Sequence, residues 1–274
     1  YELAVPMLDE FNFKGTFWLV GSRITESSEE DLLLNKKNGR ITWPQLRKMA
    51  ANGHEISNHS WTHAQLPKLS ESEVRKEIFK TDSVILKKIG KLPRTFCYPG
   101  NGSNKEVIAI AEENRVGSRT FQKGMGRNST VASLNEWVGG LIQSGEWGVA
   151  MIHAITTGYD PFTSPEVLHQ HLAYVKQHED SVWVGTFEQV AAYRKERDDV
   201  KLDVKYVKNG LECSSSMTLD KKIYDQPLTL VIGLKGIKQI NAVQKSRRMP
   251  ATIYSDHVCV DFVPGVAAVK IKWK

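Results

Sequence analysis

Between residues 16 and 197 the sequence alternates short, nearly continuous apolar runs with longer amphipathic stretches. That rhythm limits the fold more than any other feature. An apolar run of roughly four to eight residues suits a strand covered on both faces, and an amphipathic stretch of about ten or more is the crossover helix that returns the next strand parallel to the last. Strands are expected over 16–21, in the segment 53–63, and over 95–100, 116–121, 149–155 and 182–186. Helices are expected over 1–13, from Trp43-Pro44 to the stop signal Asn52-Gly53, from Ser70 to Gly90, and over 105–114, 165–178 and 187–197. In the third of these, Ser70 reads as the N-cap and Glu73 completes a capping box. In such folds the chemistry gathers where strands end. The turn Pro99-Gly100-Asn101-Gly102 and His153 both fall at such ends.

After Arg197-Asp198-Asp199 the texture changes to short alternating runs, among them 202–207, 228–232, 258–262 and 268–273, separated by Asn-Gly, Gly and Pro. A small all-β sandwich over 200–274 is expected, after a first domain over 1–199. A chain of 274 residues has room for both. No apolar run approaches the roughly 20 residues of a membrane span. The net charge is +6, but the basic residues are scattered apart from Lys245-Ser246-Arg247-Arg248, so a solvated surface is expected and nucleic acid is not. The chain opens at Tyr1 without an initiator Met, as expected of a processed or trimmed product. Cys97, Cys213 and Cys259 are too few for a disulfide framework; Cys213 and Cys259 could pair in an oxidising compartment, although buried thiols are the expected state.

The most informative stretch is Gly53-His54-Glu55-Ile56-Ser57-Asn58-His59-Ser60-Trp61-Thr62-His63. Two histidines four apart can aim both imidazoles at one point if the chain turns helically after His59, which makes His59 and His63 candidate metal ligands. A catalytic zinc wants about three protein ligands and one open position. Trp61, Tyr98, Trp147 and Tyr159 are aromatics near these positions, suited to stacking on pyranose rings and equally to packing in a core. His54, His169, His171, His178 and His257 read as non-catalytic, the three on the helix over 165–178 as surface residues.

With these motifs placed, residues 1–199 resemble the polysaccharide deacetylases, carbohydrate esterase family four, also called the NodB-homology domain. Residues 53–63 match that family's metal-binding motif almost residue for residue. Lys14-Gly15-Thr16-Phe17-Trp18-Leu19, the turn over 96–102 and His153 on a late strand support the match. The resemblance implies a distorted (β/α) barrel of α/β class and a divalent metal, most often zinc, held by His59 and His63 together with an Asp. It implies removal of acetyl groups from an N- or O-acetylated glycan, with a water on the metal as nucleophile and His153 as the general acid that protonates the leaving group. It also implies Met151 in the acetyl pocket and the backbone N–H of Gly100 facing the oxyanion. A secreted or periplasmic location follows from that substrate class, with the C-terminal domain as an accessory or carbohydrate-binding module.

Departures from the family pattern matter as much as the matches. The family's first motif, a strand ending in two adjacent Asp residues that serve as base and ligand, is absent from the chain. Where many members carry an Arg that steadies the catalytic Asp, this chain has Cys97, and Arg119 at the end of the next strand is the candidate to take over, against a plain surface ion pair. Asp160 is the nearest counterpart of the acid that orients the catalytic His. Two rival functions stand beside the deacetylase: a sugar-binding relative without catalysis, and an amidohydrolase of the same fold acting on small cyclic amides.

Overall fold

The computed structural model describes residues 1–26 and 41–274. They form two compact units, Tyr1–Glu188 and Gln189–Lys274. The first unit runs α1 (Ala4–Glu10), β1 (Thr16–Leu19), α2 (Trp43–Ala51), β2 (Glu55–Asn58), α3 (Glu71–Ile89), β3 (Thr95–Cys97), α4 (Lys105–Ala111), β4 (Gly117–Arg119), β5 (Lys123–Met125), α5 (Val131–Ser144), β6 (Ala150–Ile152) and α6 (Pro165–Gln177). Its strands are parallel, in a four-stranded sheet of order β1-β2-β3-β4 and a two-stranded ladder of β5 and β6. The α/β class follows from the helices that return each strand.

Local chemistry sets these helices. Thr42 and Gln45 close a capping box at the start of α2, and Pro44 sits in its first turn, where its missing N–H costs nothing. Ser70 and Glu73 do the same for α3, which Gly90 ends in the left-handed conformation at φ 83°. On α3, Val74, Ile78 and Ile85 recur on one buried face and close two cores, one with Phe96, Val107 and Ile110, the other with Leu46, Met49 and Ile56. Asp82 lies on that same buried face.

Two expectations change here, and one helix lies outside them. Residues 182–186 form no strand: Val182 bonds back to His178, and Val182 and Val184 pack on Phe13, Val138 and Val175, so side-chain packing rather than a ladder buries them. Helix α5 went unread, although Thr130 caps it and Gly145 ends it, because Gly139 and Gly140 interrupt its apolar pattern. His171 is buried rather than at the surface, with its Nδ1 2.9 Å from Asn135 Oδ1.

At the starts of β1, β2 and β3 a buried carboxyl gathers polar partners. Glu55 accepts from Thr16 Oγ1 at 2.7 Å, from the Glu188 N–H at 2.8 Å and from Thr95 Oγ1. Burial, then the charge of Glu188, pushes its pKa up to about 7. A carboxyl raised on folding contributes stability that is complete below its unfolded pKa near 4.5 and is lost as pH climbs through 7. Glu55→Gln keeps an acceptor and cannot ionise. Its melting temperature is expected to stay level between about pH 5 and pH 8 while the wild type falls by about 5 °C; parallel falls in the two proteins would refute the assignment.

The second unit carries most of α7 (Phe187–Asp199) and then eight strands: β7 (Lys201–Val207), β8 (Gly210–Ser216), β9 (Leu228–Ile232), β10 (Ile240–Gln244), β11 (Arg247–Arg248), β12 (Ala251–Ile253), β13 (Val258–Phe262) and β14 (Val269–Trp273). They form two antiparallel sheets, of order β11-β10-β14-β8-β7 and β12-β13-β9. Leu211, Cys213, Ala242, Val269 and Ile271 of the first sheet share one core with Leu228, Val258, Val260 and Phe262 of the second. Tyr193 and Val200 pack on that core, which is why the division falls at 188/189 rather than at 199/200. All three cysteines are free.

Candidate functional site

Strand β2 delivers the chain to His59, whose N–H donates to the Leu19 carbonyl at 2.9 Å. Beyond it the chain does not turn helically. Ser60 and His63 both take left-handed backbone, at φ 67° and 68°, and these two reversals fold the loop so that the His59 and His63 rings meet with centroids 4.9 Å apart and planes at 76°. Left-handed backbone is uphill for residues other than Gly, so something must hold it. Asn58, fully buried, accepts the Ser60 N–H at 2.8 Å and donates to the Ile78 carbonyl and to Asp82 Oδ1. Asp82 in turn pairs with Arg115 at 2.5 Å, and Arg115 also donates to the Pro93 carbonyl. Glu77 accepts the N–H groups of Trp61 and Thr62 and the Thr62 hydroxyl, and the Ser60 hydroxyl accepts the His63 N–H. Helix α3 thus grips the loop from below at three points.

The ring of His59 is oriented from β3. Its Nδ1 lies 2.7 Å from the Cys97 carbonyl, which can only accept, so Nδ1 carries the proton and Nε2 keeps its lone pair. Burial lowers the pKa of His59 to about 4, with the charges of His63, Arg119 and His153 acting in the same direction. Burial, then Arg23, lowers that of His63. Both imidazoles are therefore neutral at neutral pH, as ligands must be. Two neutral imidazoles fit a divalent metal such as zinc. Among the described residues, no group of three or more His, Cys, Asp or Glu that could hold a metal occurs.

His153 follows β6 and is exposed, with its ring edge-on to that of Tyr159 at 4.9 Å. A positive charge on it would work against protonation of both His59 and His63. Asp160 faces elsewhere: its carboxylate accepts the Arg127 N–H at 3.1 Å and lies against Gly126, where a Cβ would sit 2.4 Å from it.

Arg119 is buried, so the surface ion pair does not apply. It donates from Nε and Nη2 to Cys97 Sγ at 3.2 and 3.0 Å, to Asn101 Oδ1 at 2.9 Å and to Gln122 Oε1, and its guanidinium lies 5.6 Å from the Trp18 ring centroid. Among the described residues it has no carboxylate partner, an unusual setting for a buried cation. Through Asn101 it ties down the turn that holds Gly100, which is exposed at φ 61° and open to solvent where a Cβ would project.

Of the two roles open to the aromatics, packing accounts for three of them. Tyr98 is 1% exposed, packs on Phe96 and donates its hydroxyl to Ser118, so it offers no face to a sugar. Trp61 is engaged by Lys80, 4.0 Å from its ring centroid, and abuts Gly21, where a Cβ would meet it at 2.7 Å. Trp147 packs on Phe121 and Phe187. Met151 is partly exposed on β6, opposite Gly124 of β5. The residues that sequence reasoning missed are Asn58, Glu77, Asp82 and Arg115; the signal was an acid at Asp82, in phase with Ile78 and Ile85 on the apolar face of α3.

Residues 1–117 match the protein-family profile described as polysaccharide deacetylase. An uncharacterized protein of Bacillus subtilis (strain 168), YlxY, is 31% identical over 117 residues, covering 43% of this chain and 32% of that protein. Chitin deacetylase 1 of Cryptococcus neoformans var. grubii serotype A is 29% identical over 161 residues, 58% of this chain and 31% of that protein. The chain spans about a third of the length of these relatives. Among solved structures, a pseudoenzyme of the CE4 family from Bacillus anthracis is similar with a TM-score of 0.48 at 18% identity, over 69% of this chain and 59% of that one.

Proposed function

We propose that this chain, whose first 117 residues match the polysaccharide deacetylase family, is part of a metal-dependent hydrolase that removes acetyl groups from an N- or O-acetylated polysaccharide. The observation that carries the reading is the His59–His63 pair, held ring to ring with His59 in the tautomer that leaves Nε2 available. A divalent metal bound there, zinc in this reading, supplies Lewis acidity to the acyl oxygen and to a water. The chain's own residues do the rest. His153, exposed beside the pair, passes a proton to the departing sugar amine or alcohol. The turn at Gly100 presents backbone N–H to the oxyanion. Met151 lines the acetyl pocket. Arg119, a buried cation with neutral acceptors, is suited to hold a carboxylate beside His59. We read the parallel strands as the family's distorted barrel, the residues after 199 as a sandwich-type accessory domain, and the site of action as secreted or periplasmic.

A second reading, a sugar-binding relative without catalysis, is favoured by one observation: the described residues offer no third His, Cys, Asp or Glu beside the two imidazoles. The full-length protein incubated with N-acetylglucosamine oligomers, an O-acetylated xylan and small cyclic amides separates these. Acetate from either glycan supports the deacetylase; glycan binding without acetate supports the sugar-binding relative; ring opening of the cyclic amides alone supports the amidohydrolase and would sink the proposal.

A further inference from the structure

Among the described residues, strand β7 is the free edge of the five-stranded sheet, hydrogen-bonded only to β8, and all seven of its residues are exposed. Leu202, Val204 and Tyr206 point to one side, at 47, 41 and 79% exposure, and Lys201, Asp203 and Lys205 alternate with them on the other. The strand pairs with β8 in unbroken register over its whole length, without bulge or proline, so it lacks the devices that usually blunt an edge except for its two lysines. Those lysines flank an aspartate on the same face.

We propose that this edge pairs with the same edge of a second copy of the chain, antiparallel and centred on Val204, making one continuous sheet across a twofold axis. The charge pattern selects this occupant and this register. Centred on Val204, Asp203 of each copy lies opposite Lys205 of the other, Leu202 opposite Tyr206, and Val204 opposite itself. Centring on Asp203 sets Asp203 against Asp203 and Lys201 against Lys205, and centring on Lys205 sets Lys205 against Lys205. A one-residue slip brings the apolar side of one copy opposite the charged side of the other. The pairing also extends a row already present: Lys270 of β14, Glu212 of β8 and Lys205 of β7 are successive cross-sheet neighbours of alternating sign, and Asp203 of the second copy is the next member. Two-fold, self-complementary contact is the usual form of a homodimer.

Sedimentation of the 274-residue chain should give twice the mass of one chain. Asp203→Lys alone and Lys205→Asp alone each set like charges opposite one another twice per dimer and should raise the dissociation constant at least about tenfold. An equimolar mixture of the two variants should associate again, because in that heterodimer both pairs between positions 203 and 205 are of opposite charge. Val204→Cys should form a disulfide-linked dimer under mild oxidation that the wild type does not, since opposed residues at an antiparallel axis lie within disulfide reach. A monomeric wild type, a dimer indifferent to the single reversals, or a mixture that stays monomeric while both variants keep the wild-type melting temperature would each overturn the proposal, the last by showing that Asp203 and Lys205 do not pair across the interface.

Discussion

If the proposed hydrolase reading holds, His59→Ala and His63→Ala should each lose the bound metal and all acetate release, while His153→Ala should lose activity and keep its metal. The separation follows from what each ring touches. His59 and His63 face one another across 4.9 Å, with His59 held by the Cys97 carbonyl, so either truncation removes half of the imidazole set. A catalytic zinc wants about three protein ligands, so a site left with one imidazole should hold the ion far more weakly. His153 contacts Tyr159 and has no place in that pair, and loss of a general acid costs about 10²- to 10⁴-fold in rate without touching affinity for the ion. The fold should survive all three changes: His153 is exposed, and His59→Ala gives up one hydrogen bond of about 1 kcal/mol. Elemental analysis, melting temperature and acetate release on the same preparations check the separation. Metal loss in His153→Ala would mean that this ring is a ligand.

Arg115→Met is the second large effect, and it acts on the support rather than on the rings. The Asp82–Arg115 pair is buried on both sides, at 8 and 2% side-chain exposure, and Asp82 also accepts from Asn58, the residue that fixes left-handed Ser60. Removing the arginine leaves a buried carboxylate without its counter-charge, at a cost of about 3–5 kcal/mol, or a fall of about 10 °C in melting temperature. The double variant Asp82→Asn/Arg115→Met, which removes both charges and keeps an acceptor for Asn58, should recover most of that loss. A deficit in the double variant equal to the sum of the two single variants would show that the pair is not coupled. Metal affinity should fall with Arg115→Met and return with the double variant, because groups that orient ligands carry about 10- to 100-fold in affinity.

Much of this was legible before any coordinates. The capping box of Ser70 and Glu73, the stop at Gly90 and the strands 228–232 and 258–262 lie where their residues put them, because each is decided within a few positions of sequence. What was not legible depends on distant partners. The run 182–186 is apolar enough for a strand and finds its burial against Phe13 and Val138 instead. Tyr98 suits a stacking platform and a core equally by type, and strand alternation turns its ring into the core beside Phe96. The His59–His63 spacing points to convergence by a helical turn, and the chain achieves it through two left-handed residues, Ser60 held by the Asn58–Asp82–Arg115 relay and His63 by the Ser60 hydroxyl. Arg119 was singled out from its position at a strand end, and its burial among neutral acceptors is what turns that placement into an argument.

The most direct measurement is acetate release from N-acetylglucosamine oligomers by the full-length protein, before chelation, after it, and after zinc is returned. The account predicts release that stops with the chelator and resumes with zinc, and that stays absent in His59→Ala whatever metal is supplied. Release that continues undiminished in the chelator would contradict it.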